Sequence, residues 1–175
     1  MAFTAHPGAH YNVRGSFNSY FQDRLTALGL PDWMPSAVIH FDYPRRPLTF
    51  PSFSVTHLDA TPVEVAQGRH LDPGWRGAKR VGTIEINVWE SEERASGAHD
   101  RNAQQMADMV ARVFATGAVV PILDVYGSTA SPTSNGTIAR ARPATLAPFA
   151  ADPNPDVVRL RLLVNIDWLE RVTAG

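Results

Sequence analysis

Three His-x-Asp pairs are the residues of this sequence whose types and spacing could do chemistry. They are His40/Asp42, His57/Asp59 and His70/Asp72. Residues two apart on a β-strand share a face, so two such pairs on neighbouring strands could surround one metal ion with imidazoles and carboxylates. A metal-dependent hydrolase or binding site made of His40, Asp42, His57 and Asp59 is therefore one hypothesis. The other is that polar residues simply alternate on a solvated sheet face.

The residues and motifs that the sequence lacks argue against catalysis. The chain has no cysteine, which excludes disulfides, thiolate nucleophiles and Cys-ligated metals. It also lacks G-x-G-x-x-G, G-x-x-x-x-G-K-[ST], G-x-S-x-G and H-E-x-x-H, the short motifs of nucleotide binding, α/β-hydrolase nucleophiles and zinc proteases. We therefore expect a protein that is not an enzyme and holds no cofactor.

The charge of the chain excludes a further class. It carries 16 basic and 17 acidic residues for a formal net charge of −1, and Lys79 is its only lysine. A protein whose main task is to hold DNA without regard to sequence needs a strong positive field to gather phosphates. Arg140 and Arg142 could instead contact carboxylates or phosphates at a surface.

Two helices are predicted from apolar residues that recur every three or four positions. The first runs over 16–28, with Ser16 as its N-cap and Gly29 at its end. The second runs over 100–115 and is stopped by Gly117. The expected core positions are Phe17, Tyr20, Phe21, Leu25 and Leu28 on the first helix and Ala103, Met106, Met109, Val110, Val113 and Phe114 on the second.

Strands are predicted over 37–43, 52–58, 63–66, 81–90, 119–126, 137–146 and 157–168. We expect the first two to be antiparallel neighbours and 137–146 to be an edge strand weakened by Pro143. The strand over 157–168 is expected to be central or sheet-extending, because it is long and alternates without a break. This order of elements predicts an α+β fold: a single antiparallel sheet, mixed at most, of about five to six strands, with two helices on one face and charges of both signs on the other.

The chain is expected to form one domain over 1–175, with a flexible segment over 1–14. Two long loops are predicted, at 68–80 and 127–136, because glycine, proline, serine and charged residues replace any periodic pattern there. Trp75 lies in the first of these loops. A large aromatic residue on a polar loop normally packs against something, either its own domain or another chain.

Taken as a unit, the chain resembles the tail terminator (tail completion) proteins of tailed bacteriophages over roughly residues 12–172. The features that carry the resemblance are the N-terminal amphipathic helix, a strand pair, the strand Thr83-Ile-Glu-Ile-Asn-Val-Trp89, the helix over 100–115 and the final strand ending Leu-Leu-Val-Asn-Ile-Asp-Trp168. The resemblance rests on the order of the elements, the size of the chain and its general sequence pattern, because that family has no diagnostic short motif.

The resemblance implies a structural virion protein that assembles into a ring, a hexamer in that family, on the last ring of the tail tube. There it would stop tube polymerisation and join the tail to the neck, connector or head-completion proteins. Double-stranded DNA would pass through the lumen without specific binding, and no membrane would be involved. Assembly would take place in the host cytoplasm. A head-completion protein and a tail-tube-like subunit share the general pattern of a small α+β protein and remain alternatives.

Under this interpretation the cationic residues become candidates for contacts between proteins. The 68–80 loop would be an arm that touches a neighbouring subunit or the tube, the 127–136 loop a second contact ordered on assembly, and Arg159, Arg161 and Glu85 would form pairs between subunits. The full set of interaction candidates is Arg69, Trp75, Arg76, Lys79, Arg80, Arg140, Arg142, Arg159 and Arg161.

Overall fold

A computed structural model describes residues 10–42, 49–62, 69–72, 75–91, 99–124, 131–132, 138–147 and 157–173. Two helices and ten strands lie within these ranges. In chain order they are α1 (His10–Leu28), β1 (Val38–Phe41), β2 (Ser52–Pro62), β3 (Arg69–Asp72), β4 (Trp75–Ser91), α2 (His99–Val113), β5 (Ala118–Pro121), β6 (Leu123–Asp124), β7 (Ser131–Pro132), β8 (Ile138–Ala141), β9 (Thr145–Ala147) and β10 (Val157–Thr173).

The predicted helices are present, and their C-terminal ends are where glycine was expected to place them. Gly29 and Gly117 both adopt φ +77°, the left-handed conformation that closes a helix. The start of α1 differs from the prediction, because the helix begins at His10 and Ser16 lies inside it. Ser16 does not cap the helix; its buried hydroxyl accepts the backbone N–H of Leu123 at 2.8 Å. A tertiary contact thus overrides a local capping preference.

Aromatic rings form the centre of the core between the helices and the sheet. The ring of Phe114 stacks against Phe17 at 5.5 Å and Phe21 at 6.3 Å, and Phe53 of β2 meets Phe21 edge-on at 5.9 Å. These centroid distances lie in the range favoured by aromatic pairs. The predicted apolar stripe of α1 is therefore core, except for Leu28, which is 46% exposed.

The main sheet has the strand order β1-β2-β4-β10-β8-β5, with β3 beside β4 and β9 beside β10. It is mixed, because β1 pairs with β2 in parallel and the other neighbours are antiparallel. The expected antiparallel pairing of the first two strands is wrong. Three prolines lie between these strands, so the connection is not a tight hairpin, and it returns the chain to the start of a parallel neighbour. The α+β class, the mixed sheet and the helices on one face confirm the predicted fold.

The two longest strands form the middle of the sheet. β4 and β10 have 17 residues each and are paired along their whole lengths. The central position of the last strand is confirmed, although it is longer than predicted. The expected edge strand over 137–146 is two strands separated at Pro143, and β8 lies inside the sheet between β10 and β5. Pro143 interrupts the chain between these strands, where no ladder bond is needed.

The prediction of a loop over 68–80 is wrong. Residues 69–72 and 75–80 belong to the antiparallel strands β3 and β4, and Trp75 at the start of β4 pairs with Thr173 of β10. Backbone pairing with β10 holds this segment, so no apolar alternation was needed to make it a strand. We call β3, the first part of β4 and the last part of β10 the three-stranded arm.

The other organisational predictions are tested only in part. Residues 10–14 of the predicted flexible segment are helical, and residues 131–132 of the predicted loop pair with β6. The predicted strand over 63–66 and the rest of both segments lie outside the described residues. None of the described helices is both long and apolar enough to cross a membrane.

Candidate interaction surfaces on the sheet

The sheet has one face toward the helices and one face away from them, which we call the outer face. Ile84, Ile86 and Val88 of β4 are fully buried on the helix side. Because side chains alternate along a strand, Glu85 and Asn87 lie on the outer face. Their register partners Ser54 and Thr56 of β2 and Arg161 of β10 extend this face sideways. Arg159, the register partner of Trp89, lies on the same face.

Glu85 is the centre of a polar network on the outer face. Its carboxylate lies 3.0 Å from Nη2 of Arg159 and 2.8 Å from Nε of Arg161. Asn87 donates from Nδ2 to Glu85 at 2.8 Å and accepts from Nε of Arg159 at 2.9 Å. The Glu85 side chain is only 5% exposed, so its charge is compensated by two guanidinium groups rather than by water.

Trp89 closes the network at its far end. Its indole N–H donates to Oγ of Ser54 at 2.9 Å, and the Arg159 guanidinium lies 4.6 Å from the centre of its ring. This is a cation–π contact added to a charged hydrogen bond. Arg159 therefore has an acidic, an amide and an aromatic partner in its own chain.

Arg159, Arg161 and Glu85 were expected to pair between subunits, but in this structure they already have partners in their own chain. They pair with one another within one chain, and the two arginine side chains are only 12% and 28% exposed. The contacts of Ser54, Asn87 and Trp89 in this network were not predicted from the sequence. One feature of the sequence could have indicated these contacts: a single carboxylate faces two arginines. One carboxylate cannot satisfy all the donors of two guanidinium groups, so further acceptors are required nearby.

The four side chains of the metal hypothesis do not meet at one point. His40 pairs with Ser54 and lies on the outer face, whereas His57 pairs with Ile84 on the helix side. A β-bulge between His57 and Asp59 returns Asp59 to the outer face, opposite Thr83. The assumption that residues two apart share a face therefore fails where the strand bulges.

The hypothetical ligands are also engaged elsewhere. Asp42 contacts the guanidinium of Arg14, and Asp59 accepts the backbone N–H of Thr83 at 2.7 Å. The imidazole of His57 lies 3.3 Å from Oδ1 of Asn18. Within the described part of the chain, no three or more His, Cys, Asp or Glu side chains are grouped as metal ligands would be. His70 and Asp72 are on β3, and their side chains are outside that part.

The opposite end of the outer face is exposed. One row of register partners crosses four strands there. It runs from Val81 of β4 through Asp167 of β10 and Arg140 of β8 to Val119 of the edge strand β5. Val119 is 57% exposed, and Val81 is exposed as well. We call this surface the open patch. It comprises Lys79, Val81, Val119, Ile138, Arg140, Arg142 and Asp167.

The open patch brings three of the predicted interaction residues together. Lys79 pairs with Asp167 at 3.4 Å, and Lys79 and Arg142 line the same shallow groove of about 290 Å³. Arg140 lies beside this groove, opposite Asp167. Arg80 pairs with Trp168 on the other face. Arg69, Trp75 and Arg76 lie in the three-stranded arm, where only the backbone is described.

A second groove lies on the helix side of the molecule, where the end of α1 meets α2. It has a volume of about 350 Å³, and its walls include the exposed Leu28, Pro31, Asp108, Met109 and Arg112. We call it the helix-side groove. Next to it, the indole N–H of Trp33 donates to Oε1 of Gln105 at 2.8 Å. The helical periodicity predicted Leu28 in the core, and its exposure is the feature that sequence reasoning missed.

Sequence comparison gives no assignment: no family model matches the chain, and no curated protein matches it. Solved structures do match. One of them, a chain of closely similar length, is 16% identical with a TM-score of 0.56, and the match covers 92% of this chain and 96% of that one. At this identity the likeness shows a shared fold alone.

A second solved structure is the sheath/tube terminator of an extracellular contractile injection system, PVC, in its extended state. It is 16% identical with a TM-score of 0.49, and the match covers 91% of this chain and 57% of that one. No role is carried over from this match, because a TM-score of 0.49 does not by itself establish a common fold.

Proposed function

We propose that this protein is a structural subunit of a tail-like assembly, and more closely a tail terminator. It forms a hexameric ring on the end of the tail tube, stops tube polymerisation and joins the tube to neck or connector proteins. It catalyses no reaction and needs no cofactor. The observation that carries the proposal is the open patch, a sheet face four strands wide on which apolar side chains are exposed.

The open patch supports an assembling protein. Several exposed apolar side chains on one sheet face, here Val81, Val119 and Ile138, favour a contact site, because exposing them to water is unfavourable. The polar network at the other end of the same face is buried and internally paired. The two ends of one sheet face thus differ, and the open patch is the end that has room for another protein.

The choice of a tail terminator rests on the sequence resemblance together with the α+β fold. The size of the chain is compatible with a ring through which DNA passes. A domain of this length has a radius of gyration of about 16 Å, hence a diameter of about 40 Å. Six such domains in contact leave a central hole about as wide as one of them, which lets a DNA duplex pass. The nearly neutral charge of the chain suits a lumen that does not hold phosphates.

Negative-stain microscopy of the purified protein, with and without tube protein, tests the proposal. We expect closed six-fold rings and no long tubes from the protein alone, and rings at the ends of shortened tubes in the mixture. Long tubes from the protein alone would indicate a tube subunit instead. Binding to head or neck proteins without binding to the tube would indicate a head-completion protein. Monomers at high concentration, with no effect on tube length, would contradict the proposal.

The contact between the three-stranded arm and the tube is tested by Trp75→Ala. Trp75 begins β4 at the outer part of the arm, and a large aromatic residue at a contact contributes more than its neighbours. We expect the variant to lose most of its co-sedimentation with tube protein. Leu146→Ala is the matched control, because Leu146 is exposed on β9 and lies outside the arm. Undiminished association of the Trp75 variant would remove the arm from the tube contact.

A further inference from the structure

We infer that the open patch of one copy of this chain docks onto the helix-side groove of a second copy, head to tail. The inference rests on the proposed ring and names the two surfaces that close it. Each surface combines an exposed aliphatic side chain, Val119 on the patch and Leu28 at the groove, with exposed charges. No contact within the described chain covers either of these side chains.

The charges of the two surfaces are complementary. Lys79 pairs with Asp167 within the patch, and the carboxylate of Asp59 lines the same groove. The exposed Arg140 and Arg142 give this surface a net positive charge. On the helix side, Asp108 and Arg112 line the groove and the exposed Asp32 follows its wall residue Pro31, so that two acidic side chains outnumber one basic side chain. Arginine opposite these carboxylates gives favourable pairs at the rim of an apolar contact.

The same charges argue against a patch-to-patch dimer. A two-fold interface places each surface against its own copy. Patch against patch would bring Arg140 and Arg142 of both copies together, while Asp167 is already held by Lys79. Like charges in one interface are unfavourable, so the complementary helix-side groove is the better partner.

The fold places the two surfaces so that the contact can repeat. The patch is on the outer face of the sheet, and the groove is on the helix layer that covers the other face. An interface between two different surfaces of identical subunits is heterologous, and it generates a ring when the rotation per subunit closes. In such a ring, each subunit's helices cover the exposed sheet of the next.

The single lysine of the chain reports on this contact directly. Lys79 is the only side-chain amine, it belongs to the open patch, and its side chain is 48% exposed. We expect acetylation by an amine-reactive ester to be at least about tenfold slower at Lys79 in assembled protein than in dilute monomer, with the N-terminal amine as internal reference. Equal rates in both states would overturn the inference.

Charge reversal tests which surface meets the patch. The patch variant is Arg140→Asp with Arg142→Asp, and the groove variant is Asp32→Arg with Asp108→Arg. We expect each variant alone to associate about a hundredfold more weakly, as expected when two attractive pairs become repulsive. Mixing the two variants restores rings, because each mutated surface then meets a surface of opposite charge. Arg101→Asp, at an exposed site in the first turn of α2, is the matched control and is expected to assemble normally.

The outcomes separate this inference from the proposed ring. Circular dichroism melting first confirms that each variant is folded. Rings from the wild type and from both folded variants would overturn the inference and leave the ring in place. Loss of rings in the variants without rescue on mixing would overturn the head-to-tail pairing. A wild type that never assembles would contradict the ring and the inference together.

Discussion

Two buried glutamates of β4 lie in opposite surroundings. Glu85 is on the outer face and contacts two guanidinium groups. Glu90 is on the helix side and is fully buried. One oxygen of Glu90 accepts the backbone N–H of Ser91 at 2.9 Å, and the other has no hydrogen-bond partner among the described residues. The same side-chain type therefore stabilises the fold at one position and opposes it at the other.

The first prediction at residue scale is that Glu85→Gln destabilises the protein. The substitution keeps the shape of the side chain but leaves two largely buried guanidinium groups without a carboxylate. We expect a loss of about 3 kcal/mol in the free energy of unfolding, the usual cost of breaking a buried ion pair from one side. Urea denaturation at neutral pH measures it, and a loss below about 1 kcal/mol would show that the network contributes little.

Glu90→Gln has the opposite expected sign. It removes a charge that has lost its water and has gained no cation among the described residues, at nearly constant volume. We expect a gain of about 1 kcal/mol, and the same urea titration as for Glu85→Gln makes each variant the control for the other. A decrease in stability would contradict the view that burial of this carboxylate opposes folding.

Gly82→Ala tests the close packing of β2 on β4. A Cβ atom at position 82 would lie 2.7 Å from the backbone carbonyl oxygen of Asp59 and 3.3 Å from the Trp168 ring. A backbone oxygen cannot swing aside as a flexible side chain can, so we expect a loss of about 2 kcal/mol. Gly29→Ala is the comparison, since it meets no atom within 4 Å and costs only its left-handed φ of +77°, about 1 kcal/mol. Equal losses would contradict the steric explanation.

At the scale of elements, the sequence predicts what depends on local pattern. Glycine marks the helix ends. A periodic signal marks the stripe containing Phe17 and Phe21 and the uninterrupted alternation of β10. The parallel pairing of β1 and the internal position of β8 carry no such signal, because they are decided by which strands meet in space. The strand character of residues 75–80 is hidden for the same reason, since backbone pairing with β10 decides it.

The candidate site was predictable to a smaller extent. Lys79, Arg140 and Arg142 were identified from residue type, and they lie together in the open patch because β4, β10 and β8 are neighbours. The metal hypothesis depended on regular alternation in β2, and a single bulge before Asp59 places His57 and Asp59 on different faces. The residue types of β2 do not mark this bulge, so only the folded chain reveals it.

At the scale of the whole molecule, the ladder between β4 and β10 sets the dimensions. A strand of 17 residues spans about 55 Å at about 3.3 Å per residue when extended, whereas a domain of this length is about 40 Å across. The two strands must therefore bend or project beyond the core, and the three-stranded arm lies at the end where β3 pairs with β4. The proposed tube contact places Trp75 at this end of the ladder.

Shortening the chain at its C-terminal side separates the core from the arm. A chain stopped after Trp168 keeps the buried Leu162, Val164, Ile166 and Trp168 and loses the outer end of β10. We expect it to unfold cooperatively and to bind tube protein poorly. A chain stopped after Asp156 lacks β10, and we expect no cooperative thermal transition. A cooperative transition in that shorter chain would contradict the central role of β10.

The position of β10 also has a consequence for the order of events during synthesis. It lies between β4 and β8, yet it follows both of them in the chain. Until it emerges from the ribosome, the two halves of the sheet have no shared neighbour, and the ladder that joins them connects positions far apart in sequence. Such non-local pairing forms slowly. The sheet therefore remains in two separate parts until β10 has been synthesised.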